Sequence, residues 1–268
     1  QNVLSPHMAS LARGLADGGH KVKYIAQKES LPERTELGWN IPSLGAAELV
    51  KCRTPAALRE LAESATLSTE HIFQGFRGNG HLSEGYKVLS CRKIAFWLFM
   101  ETVDNRGLKG LARRAYYRQA FARWTRSLKG VLAVGADMPK WLLECGVSEQ
   151  RIVPFTYFLP EQLPTDLATS NRSDSFQIMF VGKLTRRKGV DVLLHALSYL
   201  KGAAKPSQVI IVGAGPELGR LQALSQRIGI SDSVTWLGNR SIDEIPRLMT
   251  EADLLVLPSR FDGWGVVV

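Results

Sequence analysis

The chain has 268 residues, enough for one or two domains with sizeable cores. A composition of 45% hydrophobic and 22% charged residues argues against disorder, and apolar runs such as Ile94–Met100 and Val209–Val212 are far too short to cross a bilayer. The formal net charge of +9 implies an anionic partner, whether a phosphate-bearing substrate, acidic lipid headgroups or nucleic acid.

In chain order, apolar runs alternate with helical patterns, the rhythm of an α/β architecture with parallel sheets. "SPHMASLARGLADGG" reads as a helix stopped by Gly18-Gly19, and "HKVKYIA" as the strand after it. No strand is expected before that helix, and no initiator Met or secretory signal opens the chain, so the first strand is expected to be missing. Further strands are expected at Ile72–Gln74, Lys93–Phe99 and Gly130–Val134. Helices are expected at about Ala56–Ser64, Lys109–Leu128 and Met138–Cys145. Cys52, Cys91 and Cys145 are widely spaced and form no metal pattern. They read as free thiols of a reducing cytosol.

The charge is uneven. Residues 1–165 carry 22 Lys/Arg against 15 Asp/Glu, and Arg106–Lys129 alone holds eight basic residues and no acid. Tyr116, Tyr117, Phe121 and Trp124 interleave with these cations. Either the aromatics pack on a sheet and the arginines turn outward, or the segment docks on an anionic membrane surface. Nucleic acid is not expected, because no recognised binding module is present.

The polar, turn-rich stretch Pro160–Ser175 is the expected domain boundary, giving domains 1–165 and 166–268. A second α/β rhythm follows. Strands are expected in "FQIMFVGKL", "SQVIIVGAGP", "SVTWLG" and "DLLVLPS", and helices in "GVDVLLHALSYL", "ELGRLQALSQRIG" and "SIDEIPRLMTEA". Four strands are fewer than a full doubly wound domain, so this domain too is expected to be incomplete.

Two loops carry chemistry. "VGAGPELG" could cradle a phosphate on backbone N–H groups or be a plain tight turn. As a dinucleotide fingerprint it is weak, since Leu218 stands where the third Gly belongs and "VTWLGN" offers no ribose acid, which disfavours a dehydrogenase. "VGKLTRRKGVD" sets Lys183, Arg186, Arg187 and Lys188 at the carboxyl end of a strand, where open α/β sheets bind ligands. It is either a solvated basic loop or a grip on a leaving diphosphate.

Together "FVGKLTRRKGVDVLLHAL", "IIVGAGPELGRL", "VTWLGN" and "EADLLVLPSRFDGWGVVV" resemble the retaining glycosyltransferases of family 4, the group 1 enzymes of the GT-B fold. "SPHMASLARGLADGGHKVKYIA" is similar to that family's first helix and second strand. The resemblance implies two Rossmann-like domains, the nucleotide-sugar donor held mainly by the second and the acceptor by the first. It implies no obligatory metal and no cofactor beyond the donor substrate. Lys183 and Lys188 would grip the donor diphosphate, with Lys183 where the family more often has Arg. Asp262 would face hydroxyls of the donor sugar, where Glu is usual; a turn-forming Asp before Gly is the plainer alternative. Gly182, Gly213, Gly215, Gly263, Trp264 and Gly265 would line the donor side. On the acceptor side Glu101 falls near a family His, and Gln74 and His81 flank a Gly-rich loop. A salt-bridged strand-end carboxylate is the other reading of Glu101, and His7 reads equally as a residue near the helix cap.

The implied activity is transfer of a sugar from a nucleotide-diphosphate sugar to a glycan or lipid-linked saccharide, with retention at the anomeric carbon, in the cytoplasm or on the inner face of a membrane. The family's second acid, eight residues after Asp262, falls beyond Val268, so the chain as given is expected to be inactive. A non-catalytic nucleotide-sugar-binding protein, or an inactive remnant of the fold, is the alternative.

Overall fold

The structure, a computed structural model, describes residues 2–29, 41–77, 80–158, 175–200, 207–241 and 244–263. The expected boundary stretch lies largely outside these residues. The chain divides into two compact units, the second beginning its main run at Glu161.

In the N-terminal unit, helix α1 (Pro6–Asp17) starts where Ser5 caps it. The Ser5 side chain accepts from the Met8 amide at 3.4 Å, and Pro6 supplies a first-turn residue that has no N–H to satisfy. Strand β1 (Lys23–Ala26) pairs in parallel with β2 (Glu48–Lys51). Residues preceding α1 are not idle, because Val3 bridges Lys28 in parallel register. Helix α2 (Pro55–Glu63) begins with Thr54 accepting from the Ala57 amide at 3.2 Å.

Strands β3 (Ile72–Gln74), β4 (Phe96–Glu101), β5 (Leu128–Val134) and β6 (Ile152–Phe155) form a parallel sheet in that order. Helices α3 (Leu82–Cys91), α4 (Gly107–Trp124) and α5 (Met138–Glu144) lie between these strands along the chain. Phe96, Leu98, Met100 and Val131 from the strands pack with Tyr117 and Phe121 of α4 and Met138, Trp141 and Leu142 of α5. Helix α4 ends at Trp124, earlier than expected, because Leu128 is drawn into β5 opposite Phe96. Pro154 is tolerated in β6 because that strand edges the sheet and pairs on one side only.

In the C-terminal unit, β7 (Phe176–Val181), β8 (Ser207–Val212), β9 (Val234–Gly238) and β10 (Leu254–Leu255) are all parallel, in the order β10-β7-β8-β9. Helices α6 (Val190–Tyr199), α7 (Leu218–Arg227) and α8 (Glu244–Thr250) connect them. Leu193, Leu194 and Leu197 of α6 and Leu221 and Leu224 of α7 bury against Phe180, Val209 and Ile211. These residues recur at helical spacing, and a fully buried Leu contributes roughly 1.5–3 kcal/mol. The chain winds outward from β7 to β9 and then returns to the other side of β7. That reversal opens a switch point between the carboxyl ends of β7 and β10.

Among the described residues no helix is long and apolar enough to cross a membrane. Cys52 and Cys145 are buried, Cys91 is exposed, and none forms a disulfide.

Candidate functional site

At the switch point β7 ends, Gly182 and Lys183 follow, and a single 3-10 turn, Arg186–Lys188, leads through Gly189 into α6. Gly189 has φ +71, and a Cβ there would lie 2.0 Å from the Pro258 carbonyl oxygen. Only glycine lets the turn come this close to the segment after β10. That segment is fixed in register: Asp253 Oδ2 accepts from the Gln177 amide at 2.8 Å, and the Val256 amide donates to the Met179 carbonyl at 2.8 Å.

The two segments are then joined repeatedly. The Arg260 amide donates to the Arg187 carbonyl at 2.8 Å, and Arg260 Nη1 to the Arg186 carbonyl at 3.0 Å. Arg187 Nη1 donates to the Phe261 carbonyl at 2.9 Å. Arg260 also pairs with Asp191 in the first turn of α6, and this hydrogen bond, opposing the burial that would raise it, holds the Asp191 carboxyl below the usual aspartate range.

Asp262 is drawn into the cation cluster. Lys188 Nζ donates to Oδ2, Arg187 Nη1 donates to Oδ1 at 3.0 Å, Ser259 Oγ donates to Oδ2 at 3.2 Å, and the Gly263 amide donates to Oδ1 at 3.1 Å. Burial acts to raise the Asp262 pKa, yet the hydrogen bonds from Lys188 and Arg187 outweigh it and leave the carboxyl below its usual range. The Lys188 side chain is only 14% exposed. Lys183 and Arg186 are exposed, and the Lys183 ammonium makes no hydrogen bond or ion pair among the described residues.

Gly213 and Gly215 serve close packing of loops. A Cβ on Gly213, at φ +130, would lie 2.0 Å from the Gly182 carbonyl oxygen, and one on Gly215 would lie 2.3 Å from that of Leu184. The Leu184 amide donates to the Ala214 carbonyl at 2.9 Å, and the Gly182 amide to that of Val212 at 2.9 Å. Gly182, Gly213 and Gly215 therefore bring two strand-end loops together as bare backbone. Trp264 and Gly265 lie outside the described residues.

In the N-terminal unit, Glu101 ends β4 and accepts a hydrogen bond from the Tyr157 hydroxyl. His7, inside the first turn of α1, packs its ring 4.5 Å from that of Tyr157, whose ring also lies 5.6 Å from that of Phe99. Gln74 ends β3 and is half-buried. His81 is tied down by its Nε2, 3.0 Å from the Cys52 carbonyl oxygen.

The basic segment is divided in use. Arg114 pairs with Glu144 at 3.0 Å, Arg113 donates to the Asp104 carbonyl at 2.6 Å, and Lys129 pairs with Glu70. Tyr117 and Phe121 are core residues. The opposite side of α4 carries Leu108, 85% exposed, and Leu111, 58% exposed, together with Ala115 and Arg118.

Sequence reading passed over Arg260, Asp191, Ser259 and Tyr157. Only Arg260 had a visible signal, as a cation two residues before the singled-out Asp262.

Residues 166–268 match the family described as "Glycosyl transferases group 1". A 91-residue stretch is 33% identical to alpha-D-kanosaminyltransferase of Streptomyces kanamyceticus, covering 34% of this chain and 24% of that protein. A longer stretch of 147 residues is 31% identical to the GDP-mannose-dependent alpha-(1-6)-phosphatidylinositol monomannoside mannosyltransferase of Mycolicibacterium smegmatis, covering 55% of this chain and 37% of that one. The match spans about a quarter of the length of the curated relatives that lead this comparison (24% of the first). Among solved structures, Anabaena HepE in complex with UDP and glucose aligns with 100% of this chain and 75% of its own, at TM-score 0.69 and 16% identity. WaaG, a glycosyltransferase of lipopolysaccharide biosynthesis, aligns with 100% of this chain and 76% of its own, at TM-score 0.59 and 17% identity. These likenesses establish the fold, α/β with Rossmann-like units of the GT-B type.

Proposed function

We propose that the protein transfers a sugar from a nucleotide-diphosphate sugar to a saccharide or lipid-linked acceptor, with retention at the anomeric carbon, as in family 4. The observation that carries this reading is the convergence of Lys188 and Arg187 on a carboxylate at the β7/β10 switch point, with exposed Lys183 beside them. As the bond from the anomeric carbon to the diphosphate oxygen breaks, negative charge grows on the leaving group. Cations already held by a hydrogen-bonded turn can stabilise that charge without reorganising. The protein then needs no obligatory metal, because its own side chains supply the positive charge. Gly182 and Gly213 expose backbone to the donor side, and Asp262 takes hydroxyls of the donor sugar. Glu101, bonded by the Tyr157 hydroxyl with His7 against the Tyr157 ring, is proposed as the acceptor-side carboxylate, and Gln74 and His81 support the neighbouring loop.

The outward side of α4 supports a second contact, with an anionic membrane surface. Leu108 and Leu111 form an apolar strip with Arg118 beside it and Lys109 and Arg123 along its other margin, the layout of a helix lying in a lipid interface. A lipid-linked acceptor would be presented at such a surface.

The test is turnover. Incubating the full-length protein with UDP-glucose or GDP-mannose and a panel of saccharide and polyprenyl-linked acceptors should release the nucleoside diphosphate and give a product with the donor's anomeric configuration by NMR, with or without EDTA. Donor binding with no release under any acceptor condition would instead support the non-catalytic alternative.

A further inference from the structure

The four groups around Asp262 make an anion site in their own right. Two cations (Lys188 Nζ and Arg187 Nη1), one hydroxyl (Ser259 Oγ) and one backbone amide (Gly263) aim their hydrogens at two oxygens of one group. A phosphate is satisfied by the same donor set. We propose that this is where a donor phosphate binds, and that the Asp262 carboxylate holds the site until the donor arrives. The phosphate takes over Lys188, Arg187, Ser259 and the Gly263 amide, and Asp262 is released towards the sugar hydroxyls. The inference rests on the donor-site reading above and adds Ser259 to it.

Three features support the exchange. Lys188 is nearly enclosed, and an enclosed ammonium without a counter-ion is costly, so the site needs an anion both before and after donor binding. A diphosphate carries more charge than a carboxylate, so the same cations favour it over the group that it displaces. The turn that presents the cations is also held independently of Asp262, by Arg260 on Asp191 and on the Arg186 and Arg187 carbonyls. Removing the carboxylate therefore leaves the donors in place.

A resident anion lowers the apparent affinity for an incoming one, because part of the population is already occupied. The consequence is opposite in sign to that of a simple contact residue. If Asp262 only touched the donor, its loss would weaken binding; here, loss strengthens binding of the nucleotide and still removes turnover.

Isothermal titration with UDP and with GDP, on wild-type protein and on Asp262→Asn, Asp262→Ser, Arg187→Gln and Lys188→Ala, tests this, with circular dichroism to confirm folding. Asp262→Asn should bind whichever nucleotide the wild type prefers about three- to tenfold more tightly. Asp262→Ser provides the same comparison should the amide prevent folding. Arg187→Gln should bind about three- to tenfold more weakly, having lost a charge-assisted phosphate contact. Equal or weaker binding by both Asp262 variants, with Lys188→Ala also impaired, overturns the exchange and leaves the donor site standing. Wild-type affinity in Lys188→Ala, or no binding of either nucleotide by the wild type, removes the donor site and the exchange with it.

Discussion

Arg260 holds Asp191 by two parallel hydrogen bonds, Nη1 to Oδ1 at 2.7 Å and Nη2 to Oδ2 at 2.8 Å. One residue comes from the segment after β10 and the other from the first turn of α6, so the pair helps to set the distance between Asp262 and Lys188. Arg260→Ala should lower kcat/KM about tenfold or more, because small misplacements of charged groups are expensive in the transition state. Arg260→Lys keeps the charge and loses the fork, and should recover only part of the activity. Equal turnover in wild type and Arg260→Ala would show that the loop holds its shape unaided.

The same two carboxylates set an acid limit. Asp191 and Asp262 have lowered pKa values in the folded protein, so their pairing contributes stability that is complete above the unfolded aspartate value of about 4 and is lost as pH falls through the lower folded values. The melting temperatures of wild type and Asp191→Asn should differ by a constant amount between about pH 7 and 5 and converge below about pH 4. A difference that grows between pH 7 and 5 would point to some other group.

On the proposed donor-site reading, Lys188 and Lys183 would meet the leaving group from different situations, one nearly enclosed and paired, the other exposed and unpaired among the described residues. Lys188→Ala should cost about 2–4 kcal/mol of transition-state stabilisation, or 10²–10³ in kcat. Lys183→Ala should be comparable, and Lys183→Arg mild or favourable, because the fork suits a phosphate better than a point charge does. Arg186, exposed and bonded through its carbonyl alone among the described residues, should matter least. Steady-state kinetics on the four variants ranks them, and an Arg186→Ala effect as large as that of Lys188→Ala would invert the assignment.

Gly189 and Gly213 are positions where a methyl group has nowhere to go. Each combines a positive φ with a carbonyl oxygen 2.0 Å from the place a Cβ would occupy. Gly189→Ala should destabilise the protein by about 2 kcal/mol or more, as strain plus a displaced backbone. Gly219, whose added Cβ meets nothing within 4 Å, is the control and should tolerate Ala. Denaturant unfolding of Gly189→Ala, Gly213→Ala and Gly219→Ala separates steric from generic effects.

How much of this was readable from the residues depends on how local each feature is. Helices α6 and α7 and strand β7 were legible because leucines and β-branched residues recur at one period and Gly or Pro ends each run. Strands β2 and β6 were not. "ELVK" is too short and polar to show a period, and Pro154 disguises the second as a turn. Helix α3 was hidden behind the Gly-rich stretch before it. At the site, Lys188 and Asp262 stood out through their loops, and their roles came from a family resemblance. That they bind one another did not, since 74 residues separate them and the contact depends on β10 returning beside β7. The Tyr157 partner of Glu101 is invisible for the same reason, 56 residues away along the chain.

The segment Arg106–Lys129 gives the last test, because its cations divide into two groups with opposite expectations. Arg113 and Arg114 are engaged inside the N-terminal unit, with the Asp104 carbonyl and Glu144. Lys109 and Arg118 lie exposed beside Leu108 and Leu111. If the outward side of α4 meets anionic lipid, each exposed cation near the surface contributes about 1 kcal/mol and is screened by salt. Lys109→Glu with Arg118→Glu should then release the protein from phosphatidylserine-containing vesicles in a sedimentation assay and leave nucleotide binding unchanged. Leu108→Ser with Leu111→Ser should weaken the same association at high salt as well, where only the apolar term survives. Arg114→Gln should lower the melting temperature and leave vesicle binding alone. Wild-type sedimentation that ignores lipid charge at low salt would return the whole segment to a packed helix with a solvated outer side.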